Sequence, residues 1–301
     1  MDDKDIDGLM REAYDLHFHI GPDILPRKYT VEELVREEAG KIRGVVLKSH
    51  SIPTIGLIKS LRKDGLELIG SVTLNYFMGG FNESAIYASA VMSKEHPVFV
   101  WFPTVHAENH LIHNKSDFEI PPEWVKDPSF KPRNKYDLKA IKVTDWAGKL
   151  IRKAQSSLKM MEEMGCIAAT GHISWQEARK LTEECLGRGL KVIVTHPMQR
   201  DIAMPLEVQV ELARKGAYIE YCYIMYLDRD NPGDYPLEEQ VRCIQEIGAD
   251  RVVLTSDAGQ MRNPGPTESL KEYVKLLHQH GLNKRDFRRM LVENPKKILG
   301  V

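Results

Sequence analysis

The sequence predicts an α/β protein of the (β/α)8 class, a TIM barrel with a long insertion after its fourth strand. Three observations predict it. Eight short apolar runs, each followed by a stretch with helical periodicity, alternate along the 301 residues. Several of these runs are continuously apolar, as in parallel strands buried on both faces. Ionisable residues gather at the C-terminal ends of the runs, the rim on which such barrels build their sites.

The elements follow in order. A short amphipathic helix over Ile6 to Tyr14 precedes the first strand, residues 15–20, which ends at Gly21-Pro22. Thr30 with Glu33 is a capping box and starts a helix to about Ala39. Gly44 to His50 reads as a buried strand, residues 54–63 as a helix, and Leu66 to Val72 as the third strand. A helix over Asn82 to Lys94 leads to the fourth strand, Val98 to Val105. The fifth strand is Cys166 to His172. It is followed by a helix over 174–187 that opens on a second capping box, Ser174 with Glu177. Lys191 to Pro197, Ala217 to Tyr223 and Arg251 to Asp257 are the last three strands. Their helices are Leu206 to Lys215, Leu237 to Ile247, and a final pair at about 267–280 and 284–299.

One segment breaks the rhythm, at about residues 107–146. It carries Pro121-Pro122, Pro128 and Pro132, with Trp124, Phe130 and Tyr136 between them, and ends where a helix from Trp146 to Gly165 is expected. It is too long for an ordinary connection. Its place after a strand puts it on the site-bearing face, as a lid or a subunit contact in a possible homo-oligomer. No second domain and no repeat finer than the strand–helix unit is visible, so residues 1–301 read as one domain.

Bulk composition narrows the function. A formal net charge of -1 gives no electrostatic case for nucleic acid or an anionic membrane as partner. Cys166, Cys185, Cys222 and Cys243 are far apart and form no C-x-x-C pair, which fits reduced thiols rather than a disulfide framework. The acidic start Met1-Asp2-Asp3-Lys4-Asp5 is not a secretory signal, and no apolar run approaches a membrane span. A cytoplasmic protein acting on a small molecule is the expectation.

The chemistry begins at His17-Phe18-His19. In an extended strand, residues i and i+2 share a face, so two imidazoles aim at one point. Neutral imidazole is the commonest nitrogen ligand for a transition metal. Lys48 and His50 end the second strand. His106, Glu108, His110 and His113 follow the fourth. His172 ends the fifth and His196 the sixth; Glu220 lies on the seventh, and Asp257 ends the eighth. Of the 11 histidines, eight lie at or just after a strand's C-terminus, where a barrel brings them together. Imidazoles with a carboxylate suit a divalent metal, zinc first, with manganese, iron or nickel as alternatives. Lys48 and Glu220 read equally well as a structural ion pair across neighbouring strands.

This pattern resembles the amidohydrolase superfamily of metal-dependent hydrolases, in its phosphotriesterase-like or amidohydrolase-like branches. The resemblance rests on His17-x-His19, His172 in Thr170-Gly171-His172, His196 in Thr195-His196-Pro197, Asp257 in Thr255-Ser256-Asp257, and the tail Asn294-Pro295-Lys296-Lys297-Ile298-Leu299-Gly300. It implies that His17, His19, His172, His196 and Asp257 hold one or two divalent metals. Asp257 would act as general base on metal-activated water, with His196 polarising the substrate oxygen. The fourth strand departs from the family pattern, having no lysine or glutamate within it; His106 or Glu108 would have to serve there. Arg27, Lys48, His50, His110 and Tyr223 are candidates to orient substrate. The implied reaction is hydrolysis of an ester, lactone, amide or phosphoester. A metal-dependent lyase or decarboxylase on the same scaffold, or a non-catalytic metal-binding barrel, are the alternatives.

Overall fold

The computed structural model describes residues 1–60, 65–93, 95–113, 139–227 and 235–301. Nine parallel strand segments form the sheet: β1 (Tyr14–His19), β2 (Gly44–Lys48), β3 (Glu67–Ile69), β4 (Ser71–Thr73), β5 (Phe99–Trp101), β6 (Ile167–Ala169), β7 (Val192–Val194), β8 (Tyr218–Cys222) and β9 (Val252–Thr255). β3 and β4 are two halves of one strand interrupted at Gly70. The first half pairs with β2 and the second with β5, so nine segments fill eight barrel positions. The ring closes between the two ends of the sheet. Phe18 bridges to Ala258 in parallel register, Asp257 N donates to His17 O at 2.8 Å, and His19 N donates to Ala258 O at 2.8 Å. The expected (β/α)8 architecture is therefore the observed one.

Strand alternation sorts the side chains into two populations. Val45, Leu47, Leu68, Val100, Ala168, Val192, Ile219 and Leu254 point outward into the layer of helices. Tyr14, Leu16, Val46, Ile69, Phe99, Trp101, Ile167, Ala169, Ile193, Tyr218 and Val253 fill the lumen, joined by Ile298 and Leu299 from the C-terminal helix. Full burial of each such aliphatic side chain contributes roughly 1.5–3 kcal/mol, which is why the strands read as unbroken apolar runs.

β1 has an irregularity that alternation alone does not predict. Its register with β2 shifts between Asp15 and Phe18. Leu16 belongs to the lumen and Phe18 to the outer layer, yet His17 also reaches inward, 4.4 Å from the Trp101 ring between centroids. A bulge of this kind re-aims a side chain locally. Asp15 ends up facing the eighth barrel position, where it accepts from Ser256 N at 3.0 Å and from the Ser256 hydroxyl.

Both expected capping boxes form, at Thr30 with Glu33 and Ser174 with Glu177. Three helices differ from expectation. The first, expected over Ile6 to Tyr14, runs Asp3–Met10, and Tyr14 already opens β1. The one expected from Trp146 begins at Arg152, because Asp145 Oδ1 accepts from Ala147 N and Lys149 N, and this side-chain-to-backbone turn leaves Trp146 98% exposed. The expected last helix divides into Lys284–Arg288, a wider π turn at Arg289–Glu293, and Asn294–Leu299. Pro295, with no backbone N–H to continue the ladder, sits in the first turn of the last piece. Within the insertion, Glu108–His113 is helical and Ile141 bridges to Ala107. Pro121, Pro122, Trp124, Pro128, Phe130, Pro132 and Tyr136 lie outside the described residues.

Candidate metal centre

Above the apolar lumen, the same inward positions turn polar. His17 and His19 of β1 meet Asp257, which follows β9. His17 Nε2 lies 2.9 Å and His19 Nε2 3.0 Å from Asp257 Oδ1. His196 Nε2 lies 4.0 Å from Asp257 Oδ2. The rings continue round the rim: His17 to His196 at 6.0 Å, His196 to His172 at 5.0 Å, His172 to His110 at 5.0 Å, and His19 to His50 at 4.7 Å between centroids.

The backbone is unusual where it presents these groups. His196 (φ 24°) and Asp257 (φ 49°) both lie in the left-handed region that side-chain-bearing residues rarely adopt. Such strain persists only where the surroundings enforce it and clusters at functional sites. Two glycines make room beside them. A Cβ on Gly171 would come within 2.4 Å of Phe102 O, and one on Gly259 within 2.1 Å of His19 O.

Glu220 of β8 anchors the cluster. Its Oε1 accepts from His17 Nδ1 at 2.9 Å and from Thr255 Oγ1 at 2.8 Å, while its Oε2 accepts from His196 N at 3.1 Å. With Nδ1 donating to Glu220, His17 Nε2 faces Asp257 Oδ1 at 2.9 Å, a contact that needs either a second ring proton or a cation between the two atoms. Donor atoms about 3 Å apart match neighbouring ligands of one ion at bond lengths of about 2.0–2.2 Å. His17, His19 and Asp257 therefore fit a divalent metal as ligand atoms lying within 4.8 Å of one another. The buried Nδ1 atoms of His19, His172 and His196 have no hydrogen-bond partner among the described residues.

Charge follows the geometry. Burial would push Asp257 up, but the His17 charge and the hydrogen bonds from His17 and His19 hold it well below the usual carboxylate range. Burial opposes protonation of His17 too, yet Asp257 and Glu220 keep it above the ordinary imidazole value. Burial depresses His19, with Arg27 adding to the effect; it depresses His50 and His172 strongly, and takes His196 down to about 4. Burial likewise takes Lys48 down to about 8 and Asp15 up to about 7.

Several expected residues lie elsewhere. Glu108 forms an ion pair with Lys142 at 3.0 Å, and the His106 ring packs between Tyr76 and Phe77, at 5.5 and 4.6 Å between centroids. Neither joins the group around Asp257. Tyr223 packs on Tyr226 and Tyr273. Lys48 does not pair with Glu220; its Nζ lies 2.9 Å from His17 Nε2 and 4.3 Å over the Trp101 ring. His110 Nδ1 lies 3.3 Å from Asp201, and Arg27 is held by Asp23 at 2.7 Å. Asp23, Asn75, Trp101, Thr104 and Asp201 were not expected here. Asn75 donates to Thr104 Oγ1 at 2.8 Å, and Thr104 meets His50 Nδ1 at 2.9 Å. Trp101 alone carried a signal, being the inward residue of the fourth strand where a charged ligand was sought.

The profile of a protein family described as "Family of unknown function (DUF6282)" matches residues 12–220. The chain belongs to this family. The matched span holds His17, His19, Lys48, His172, His196 and Glu220, and stops short of Asp257. Comparison with curated proteins finds no match. Among solved structures, this DUF6282 chain is similar to an amidohydrolase from Pseudomonas aeruginosa, at 9% identity and TM-score 0.57, covering 98% of this chain and 99% of that one. It is also similar to a probable dipeptidase from the same organism, at 11% identity and TM-score 0.60, with 98% and 97% covered. A third is a probable 2-pyrone-4,6-dicarboxylic acid hydrolase from Acinetobacter baumannii, at 14% identity and TM-score 0.53, with 96% and 100% covered. At these identities the likeness establishes a shared amidohydrolase-type fold. No helix among the described residues is long and apolar enough to cross a membrane.

Proposed function

We propose that the protein is a metal-dependent hydrolase of the amidohydrolase type, acting on an ester, lactone, amide or phosphoester of a small molecule. The observation that carries this reading is the convergence of His17 Nε2, His19 Nε2 and Asp257 Oδ1 within 3.0 Å contacts, with Asp257 itself on left-handed backbone. The names of the solved structures with this fold, a probable dipeptidase and a probable 2-pyrone-4,6-dicarboxylic acid hydrolase among them, support it.

His17, His19 and Asp257 would hold a divalent cation, zinc being the first choice, which would supply Lewis acidity toward a C=O or P=O group and toward water, whose pKa such ions lower from about 16 to about 7. Asp257, ionised at neutral pH, removes the proton from the attacking water and returns it to the leaving group. Neutral His196 offers a hydrogen bond to the substrate oxygen on which charge develops. Glu220 fixes the His17 tautomer and ring. His172 and His50 line the rim beside them.

The test is metal content by plasma mass spectrometry, on protein purified without chelators and again after metal repletion, together with turnover over a panel of esters, lactones, amides and phosphoesters. His17→Ala is expected to lose the metal. Asp257→Asn is expected to lower turnover by about 100- to 10,000-fold. Wild type that takes up no metal after repletion, or Asp257→Asn at full turnover, overturns the reading.

A further inference from the structure

The rim holds two cations with donors that the described residues do not take up. Lys48, at the end of β2, is fully buried. An ammonium has three donors. Among the described residues Nζ meets one acceptor, His17 Nε2 at 2.9 Å, and the Trp101 ring face at 4.3 Å, with no carboxylate in contact. If the His17 lone pair is committed to a metal, Lys48 keeps no acceptor among the described residues.

Arg27 lies in the loop after β1, its side chain 2% exposed. Asp23 Oδ2 accepts from Arg27 Nε at 3.0 Å and Nη2 at 2.7 Å. A guanidinium has five N–H donors, so three remain without an acceptor among the described residues. Asp23 cannot swing to serve them, because its Oδ1 accepts from Ile24 N, His50 N, Ser49 Oγ and Ser51 Oγ at 2.8–3.3 Å. The loop is pinned as well: Lys28 N donates to Gly259 O at 2.8 Å, and Arg27 bridges to Gln260. Arg27 is thus a fixed fork between the end of β1 and the turn after Asp257, close enough for its charge to act on His19, His50 and Lys48.

Charge counting points the same way. Arg27 is answered by Asp23, whereas Lys48 meets no carboxylate among the described residues. A planar fork with N–H groups to spare pairs best with a carboxylate, and a dication on Asp257 would draw an anion to the same rim. Resting on the metal-dependent reading, we propose that Arg27 and Lys48 receive a carboxylate of the substrate, so that the molecule hydrolysed is a carboxylic acid whose scissile bond lies beside Asp257.

The test is calorimetric titration of the metal-loaded full chain with malonate, its uncharged diamide, and inorganic phosphate. Malonate is expected to bind at least about tenfold more tightly than the diamide and more tightly than phosphate. Arg27→Gln and Lys48→Met are each expected to weaken malonate by about 10- to 100-fold with metal content unchanged, the range for a lost hydrogen bond to a charged group. Arg27→Lys, which keeps the charge and loses the fork, should fall between Arg27→Gln and wild type. If Arg27→Gln does not fold, Arg27→Lys decides. Malonate affinity equal to wild type in Arg27→Gln or Arg27→Lys means that the anion sits on the metal alone, and overturns the inference. Phosphate binding more tightly than malonate overturns the carboxylate class. A protein that takes up no metal overturns the metal-dependent reading instead; the same variants titrated metal-free then judge Arg27 and Lys48 separately.

Discussion

The lower and upper halves of the barrel lumen are built by the same strands and are opposites in chemistry. Below, Tyr14, Val46, Phe99, Ile193, Tyr218 and Val253 pack against Ile298 and Leu299 as a hydrophobic core. Two residues further along β2 and β8, the inward positions become Lys48 and Glu220, and past the end of β9 comes Asp257. The lower layer gains from burial, whereas the upper layer buries ionisable groups that water would prefer to keep. The difference teaches that the barrel supplies stability from one layer and chemistry from the other. Changes in one should leave the other largely intact.

That separation can be broken in the lower layer first, where the expected effect is largest. Ile298→Ala should cost about 2–5 kcal/mol in denaturant unfolding by opening a cavity, while the folded protein keeps its metal content. Loss of the metal along with stability would show that the layers are coupled. In the upper layer, Glu220→Gln should weaken metal affinity by about 10- to 100-fold in a chelator competition, because the amide holds the His17 ring less firmly and leaves it less basic. Unchanged affinity would remove Glu220 from the site's design.

The smallest effect sharpens the contrast outside the lumen. Glu220 and Asp257 are held down by imidazoles that outweigh burial. At Glu38 burial wins: it pushes the carboxyl above the ordinary 4.5 against the opposing Thr267 hydrogen bonds and the Lys41 charge. A carboxyl raised on folding favours the native state when protonated. Its contribution is full below the unfolded value and is lost as pH rises through the folded one. The Tm of wild type should therefore fall further than that of Glu38→Gln as pH climbs from about 4.5 towards neutrality. Parallel pH profiles for the two proteins would refute the assignment.

Much of this was legible in the sequence because parallel strands buried on both faces leave continuous apolar runs, and because rim residues directly follow those runs. His17, His19, Lys48, His172, His196, Glu220 and Asp257 all announce themselves this way. What could not be read depends on how loops return to the rim. Asp23 and Arg27 look like any polar loop pair until Gly259 and Gln260 are seen to pin them. Thr104 and Asn75 act on His50 only through packing of separate connections. His106 and Glu108 followed a strand end as the others did, but the chain turns them toward Tyr76, Phe77 and Lys142 instead. The late start of the helix at Arg152 hinged on a single local choice, Asp145 bonding to the backbone ahead of it.

The register shift in β1 has a consequence for how this motif tolerates change. Leu16 and His17 both reach the lumen because the strand carries an irregularity between Asp15 and Phe18. A regular strand alternates with a period of two, so without the extra residue Leu16 and His17 could not both face inward. Deleting Leu16 would restore plain alternation, with His17 and His19 still inward and Phe18 outward, but would slide Tyr14 and Asp15 one step against β2. The expected loss is in the lumen's packing and in the alignment of the strand's first half, while the imidazoles keep their face.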